Sequence, residues 1–214
     1  MNVAGLGVDE LAGLVCTTLE QYGVDVVLTG GSCVSVWTHN AYASLDLDFI
    51  ALGLHSNHQI GEALRDIGFT ARTSNGRYFQ HPETELVLEF PPGPLMVGDE
   101  QVREERIDKR ASDAGVVRLL SPTDCIKDRL AGFYHWKDEQ NFDQALSLAL
   151  TLIPLQSGLP GTISTENRAP RAMLSALTPR RALPGSVTSV HLLNQPGRNF
   201  LRAARCPENS SGLR

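Results

Sequence analysis

The sequence predicts an α/β domain, α+β in strict usage: a small mixed β-sheet with flanking helices, then a helical pair and a disordered tail. Three observations predict it. Short β-branched apolar runs alternate with stretches of helical period between Asp9 and Phe90. Ser121-Pro122 is a helix start that opens two further amphipathic stretches. Beyond Ile153 the apolar period stops, seven of the twelve prolines accumulate, and Phe200 is the one aromatic residue. Such a segment buries too little apolar surface to offset chain entropy.

The elements follow in order. Leu11, Leu14, Val15, Leu19 and Tyr22 recur at helical spacing, so Asp9 to Tyr22 is a helix that Gly23 ends. Val24 to Thr29 is a buried strand, broken by Gly30-Gly31, and Ser32 opens a short helix to about Thr38. Leu45 to Leu52 is the second strand. Asn57 to Ile67 is a helix with Ile60, Ala63, Leu64 and Ile67 on one side. Phe69 to Thr73, Arg77 to Gln80 and Glu85 to Phe90 are strands, the last closed by Pro91-Pro92-Gly93-Pro94. A further strand is expected near Val116 to Leu119.

Ser121 can cap the next helix, with Pro122 at its first position and Asp124 closing a capping box. Ile126, Leu130, Phe133 and Tyr134 form its apolar face. In the last helix Phe142, Ala145, Leu146, Ala149 and Ile153 are expected to face inward. The expected organisation is a core over residues 1–120, a helical appendage over 121–153 and a Pro/Arg-rich tail over 154–214.

The 214 residues, 42% hydrophobic, suit one domain with extras. No apolar run approaches the roughly 20 residues that span a bilayer. The first residues carry Asp9 and Glu10 and no Lys or Arg, unlike a secretory or transit segment. The expectation is therefore a cytoplasmic protein with no membrane partner. Cys16, Cys33, Cys125 and Cys206 match no zinc spacing and read as reduced thiols. The net charge of −5 divides unevenly: residues 154–214 hold eight Arg and two Glu. The body is thus strongly acidic, which is unlike a nucleic-acid binder and consistent with metal binding or a solvated surface.

The chemistry concentrates in two stretches. A strand runs into Gly30-Gly31-Ser32 where a helix begins. Glycines admit close backbone approach, and N–H groups at a helix start point at an anion such as an oligophosphate. The Ser32 hydroxyl can donate to a terminal phosphate. Asp46 and Asp48 lie two apart on a strand and project to one face, away from Leu45, Leu47 and Phe49. Their mutual repulsion is relieved by a hard cation, with Mg²⁺ favoured (or Mn²⁺). Glu89 joins the same cluster if its strand pairs beside theirs. Taken separately, the glycines make a plain turn and the carboxylates a solvated strand face. Asp-x-Asp also marks haloacid-dehalogenase-like phosphatases, but there it follows the first strand, whereas here it lies on the second behind Gly-Gly-Ser. His39, His55, His58, His81 and His135 show no ligand spacing, and Phe133 and Trp136 read as packing residues.

In this order and spacing, Gly30, Gly31, Ser32, Asp46, Asp48 and Glu89 resemble the nucleotidyltransferase superfamily related to DNA polymerase β. Leu120 to Leu130 also looks like the helix after the catalytic sheet in minimal bacterial and archaeal members, among them abortive-infection and toxin–antitoxin nucleotidyltransferases. The resemblance spans roughly residues 8 to 153. It implies a nucleotidyltransferase fold with its catalytic core in residues 1–120. Gly31 and Ser32 would hold the β- and γ-phosphates of a nucleoside triphosphate (NTP). Asp46, Asp48 and Glu89 would serve as metal ligands, with Glu89 helping to activate the acceptor hydroxyl. Lys127 would neutralise the triphosphate; otherwise it pairs with Asp124 at i, i+3. The implied reaction moves a nucleoside monophosphate (NMP) to a hydroxyl of RNA or protein. The alternatives are a small-molecule (antibiotic) acceptor, or an inactive module that binds nucleotide or a partner.

Overall fold

The computed structural model describes residues 3–152 except 43 and 75. Helix α1 (Val8–Gln21) starts where the Gly7 amide donates to the Glu10 carboxylate at 2.8 Å. It buries Leu11, Leu14, Val15 and Leu19. Strand β1 (Val26–Thr29) is buried throughout and runs directly into α2 (Gly30–Trp37). The helix therefore starts at Gly30, ahead of the expected Ser32. Extended Thr29 is its N-cap, and Gly30 turns the chain with φ +68°.

Next come β2 (Asp46–Ala51) and α3 (Asn57–Arg65), the latter capped by the Ser56 hydroxyl accepting from the Gln59 amide. Short strands β3 (Thr70–Ala71), β4 (Tyr78–Gln80) and β5 (Val87–Glu89) follow. A small hairpin pairs β6 (Met96–Val97) with β7 (Glu100–Gln101). Strands β8 (Ile107–Ser112) and β9 (Gly115–Leu120) then lead to α4 (Pro122–Trp136) and α5 (Glu139–Leu152).

The main sheet has seven strands in the order β3-β4-β5-β2-β1-β9-β8. It is mixed: β1 runs antiparallel to β2 and parallel to β9, while β2 runs parallel to β5. Central position explains why β1 is apolar on both faces. Helix α1 covers β1 and β9 and meets α3. Phe49, Phe79 and Phe90 form an aromatic core, with Phe90 stacked on Phe49 at 5.6 Å and edge-on to Phe79 at 5.5 Å. Helices α4 and α5 pack on each other and on α2.

Further sequence expectations need correction. Strand β8 was not foreseen, because Ile107 to Ser112 lacks apolar alternation; it is an edge strand, where charged Asp108, Lys109 and Arg110 block further pairing. Asp124 does not close a capping box. The Ser121 hydroxyl accepts from the Asp124 amide at 3.2 Å, while the Asp124 carboxylate takes the Arg106 guanidinium. Helix α5 is rotated from the expected face: Gln144, Ala145 and Leu148 are buried, whereas Phe142 and Leu146 are 40% and 47% exposed. Its inner side carries amides that serve an arginine of α4, so apolar periodicity marks the wrong side. Tyr134 of α4 is exposed as well.

Ile153 and the expected tail over 154–214, with Cys206, lie outside the described residues. The other three cysteines are free and buried. Among the described residues no helix is long and apolar enough to cross a membrane.

Candidate active site

The site forms where β1 hands over to α2, against the start of β2. Antiparallel register places Thr29 opposite Asp48, and the Thr29 hydroxyl donates to the Asp48 carbonyl at 3.3 Å. Gly30 sits under the Asp48 side chain: a Cβ there would lie 2.2 Å from Asp48 Oδ2. At Gly31 a Cβ would meet Gln144 Nε2 at 3.1 Å and Ser44 Oγ at 3.4 Å. The glycine turn is therefore enclosed by a strand carboxylate on one side and by α5 on another. Ser32 is fully buried, and its hydroxyl donates to the Thr29 carbonyl at 3.1 Å.

The parallel β2–β5 register sets Asp48 opposite Glu89 and Asp46 opposite Val87. Directly paired residues project to the same side, so Asp46, Asp48 and Glu89 share one face of the sheet. Asp46 is exposed; Asp48 and Glu89 are buried. Burial pushes the Asp48 carboxyl up to about 8, with the Glu89 and Asp46 charges adding to the rise and Arg129 opposing it. A buried carboxyl among like charges lacks positive charge, and that deficit is what a divalent cation supplies.

Arg77 occupies Glu89. Its Nε and Nη2 donate to Glu89 Oε1 at 2.9 and 2.5 Å. Its guanidinium also lies over the Tyr78 ring, 5.5 Å from the centroid. Tyr78 pairs with Glu89 across β4 and β5, and partial burial together with the Glu89 charge raises its phenol above the ordinary range. Among the described residues no three His, Cys, Asp or Glu side chains converge closely enough to hold a metal ion. The donor set still fits Mg²⁺, which takes one or two protein carboxylates and completes its shell with substrate phosphates and water. Asp46 and Asp48 provide that pair. Glu89, expected as a third ligand, is turned instead toward Arg77.

Helix α4 supplies the positive charge that opposes the rise at Asp48, and it is Arg129. Its guanidinium donates to Asp128 at 2.6 and 3.1 Å, to Asn141 Oδ1 at 2.9 Å and to Gln144 Oε1 at 3.3 Å. Burial works against this charge, yet the Asp128, Cys125 and Asp48 side chains hold the group above its ordinary range. Lys127 is half-exposed, with Nζ 3.8 Å from Asp124 Oδ1. Sequence reasoning missed Arg77, Tyr78, Arg129 and Gln144. A signal existed for one of them: Arg129 is four residues after the buried Cys125 and three after Ile126, on the inward side of α4.

The raised Asp48 carboxyl has a consequence for stability. An unfolded carboxyl loses its proton near 3.8, whereas folded Asp48 keeps it to about 8. Between those values the folded state binds more protons, so this group's contribution to stability falls as pH rises. Asp48→Asn removes the penalty. Without divalent metal, its melting temperature should exceed the parent's by an amount that grows from about pH 4 and levels off above about pH 8. A gain of about 2 kcal/mol corresponds to roughly 4–8 °C in a chain of this size. Thermal melts across pH in EDTA test this, and a difference that does not vary with pH would contradict it.

No protein-family model matches the sequence, and a search of curated proteins found no match. Among solved structures the chain is similar to an antigenic nucleotidyltransferase-like protein from Paracoccidioides brasiliensis. That match has a TM-score of 0.54 and 14% identity, over 79% of this chain and 86% of the other. A lincomycin-bound lincosamide antibiotic adenylyltransferase matches with a TM-score of 0.47 and 18% identity, over 65% of this chain and 94% of the other. An antibiotic-resistance factor studied in solution matches with a TM-score of 0.46 and 10% identity, over 79% and 94%.

Proposed function

We propose that this chain, whose fold is that of the nucleotidyltransferases, moves an NMP group from an NTP to a hydroxyl of RNA or protein. The observation that carries the reading is the placement of Asp48: two residues from Asp46, opposite Glu89 and directly above Gly30. A toxin–antitoxin or abortive-infection setting is part of the proposal and rests on the sequence resemblance.

In this reading Asp46 and Asp48 would hold Mg²⁺ together with the triphosphate. A cation held there would supply neutralisation of the phosphate charge. The first amides of α2, at Gly30, Gly31 and Ser32, face the β- and γ-phosphates. Ser32 acts through its backbone N–H, since its hydroxyl is committed to Thr29. Arg129 offsets the carboxylate charge from the α4 side. Lys127 reaches the triphosphate only by leaving Asp124. The acceptor oxygen bonds to the α-phosphorus, the bond to pyrophosphate breaks, and Glu89 takes the hydroxyl proton.

Two measurements test this. Incubation with each labelled NTP, Mg²⁺ and cell extract should label an RNA or protein acceptor. Mg²⁺-NTP at about a hundred times its Kd should add about 2.7 kcal/mol of stability. Asp46→Ala and Asp48→Ala should abolish both the labelling and the stabilisation, while Asp48→Ala melts no lower than the parent in the absence of ligand. Undiminished stabilisation in both variants would refute the metal assignment.

A further inference from the structure

We infer that Tyr78 is itself an acceptor: the chain nucleotidylates its own Tyr78 hydroxyl. The inference rests on the transfer reading above and concerns the same site. Three adjacent strands place Tyr78, Glu89 and Asp48 in one row, Tyr78 opposite Glu89 and Glu89 opposite Asp48. Residues paired in this way share a face and stand about 5 Å apart at Cβ. An acceptor hydroxyl in this reaction must lie beside Glu89, on the side of the row away from the β1–α2 turn. The β4–β5 register places the Tyr78 side chain there, directly beside Glu89 on the same face.

The neighbouring hydroxyls are committed elsewhere. Thr29 donates to the Asp48 carbonyl, Ser32 to the Thr29 carbonyl and Ser44 to the Asp46 carbonyl. Tyr78 differs in standing directly opposite the proposed base. Its ring is only partly buried and is steadied by the Arg77 guanidinium. Arg77 donates twice to Glu89 Oε1.

The step balances without a further reactant. Tyr78 Oη forms a bond to the α-phosphorus of the NTP, the bond from that phosphorus to the β-phosphate oxygen breaks, and pyrophosphate leaves. The phenolic proton passes to Glu89. The product is a tyrosine phosphodiester standing in the acceptor position, where it obstructs transfer to any other hydroxyl. The chain would thereby limit its own activity.

The experiment uses the full chain with Mg²⁺ and each of ATP, GTP, CTP and UTP, without extract. It is read by intact mass and by peptide mapping. The expected result is a gain of one NMP on the peptide containing Tyr78, absent from Asp48→Asn and from Tyr78→Phe, the latter checked by melting to be folded. If Mg²⁺-NTP stabilises the parent but no adduct forms, or the adduct maps to another residue, the inference is overturned and the transfer reading stands. If no Mg²⁺-NTP stabilises the parent and no label transfers, both are overturned.

Discussion

Glu89→Gln is expected to slow nucleotidyl transfer by at least about a hundredfold, the usual scale for loss of a general base, while Mg²⁺-NTP still stabilises the variant nearly as it does the parent. The separation follows from where the side chains sit. Asp46 and Asp48 belong to one strand and Glu89 to its neighbour, so removing the Glu89 charge leaves the metal-binding pair intact. Glutamine keeps the size, and its carbonyl can still accept from Arg77. The fold should therefore lose only the charge-assisted part of that contact, about 1 kcal/mol. Loss of the neighbouring charge also favours ionised Asp48, because Glu89 is the largest charge raising its proton affinity. Single-turnover rates and thermal shifts, taken on the same preparation with an acceptor known to be modified, decide the matter. A parental rate would reduce Glu89 to a partner for Arg77 and leave the Asp pair as the whole of the acidic machinery.

Gly30→Ala should cost about 2–4 kcal/mol of stability and abolish stabilisation by Mg²⁺-NTP. Two independent penalties combine. The backbone has φ +68°, where a residue with a Cβ is strained by about 1–2 kcal/mol. The added methyl would also stand 2.2 Å from Asp48 Oδ2, so the carboxylate must move. Gly31→Ala is the control. Its methyl would meet the end of the Gln144 side chain at 3.1 Å, and that end can swing aside; a loss below about 1 kcal/mol is expected. Urea midpoints compare the two. Equal small losses would show that the turn does not press on Asp48.

Much of this site is local, and what is local could be read. The run from β1 into paired glycines, and the two aspartates alternating with Leu47 and Phe49, are properties of short segments. Periodicity and glycine conformation suffice to interpret them. Glu89 was partly legible: its facing direction within β5 could be read, but its place beside Asp48 depends on a parallel pairing that no local pattern encodes. The grip of Arg77 on Glu89 joins different strands and was invisible. So was the orientation of α5. Asn141 and Gln144 are polar and would ordinarily be assigned to solvent, yet they turn inward to bond Arg129, and Phe142 and Leu146 turn outward in exchange. Strand β8 escaped because an edge strand satisfies its pairing with one neighbour and needs no apolar period. Arg129 could be placed on the inward side of α4 by its spacing from Cys125 and Ile126, but the amides that hold its charge there come from another helix.

The contact of Gln144 with Gly31 also orders events during synthesis. Gly31 is made early and Gln144 near the end of the described chain, and domains fold as units while the N-terminal part emerges first. The sheet's central strands β1 and β2 can pair once a quarter of the chain is out, but the glycine turn gains its cover, and Arg129 its amide partners, only when α5 has formed. A nascent chain lacking that helix would expose the turn without the groups that complete it. Competence to hold a nucleotide should thus arrive late and abruptly. Arrested chains of increasing length, assayed for retention of immobilised nucleotide, should change from inert to binding as the stop point moves past α5.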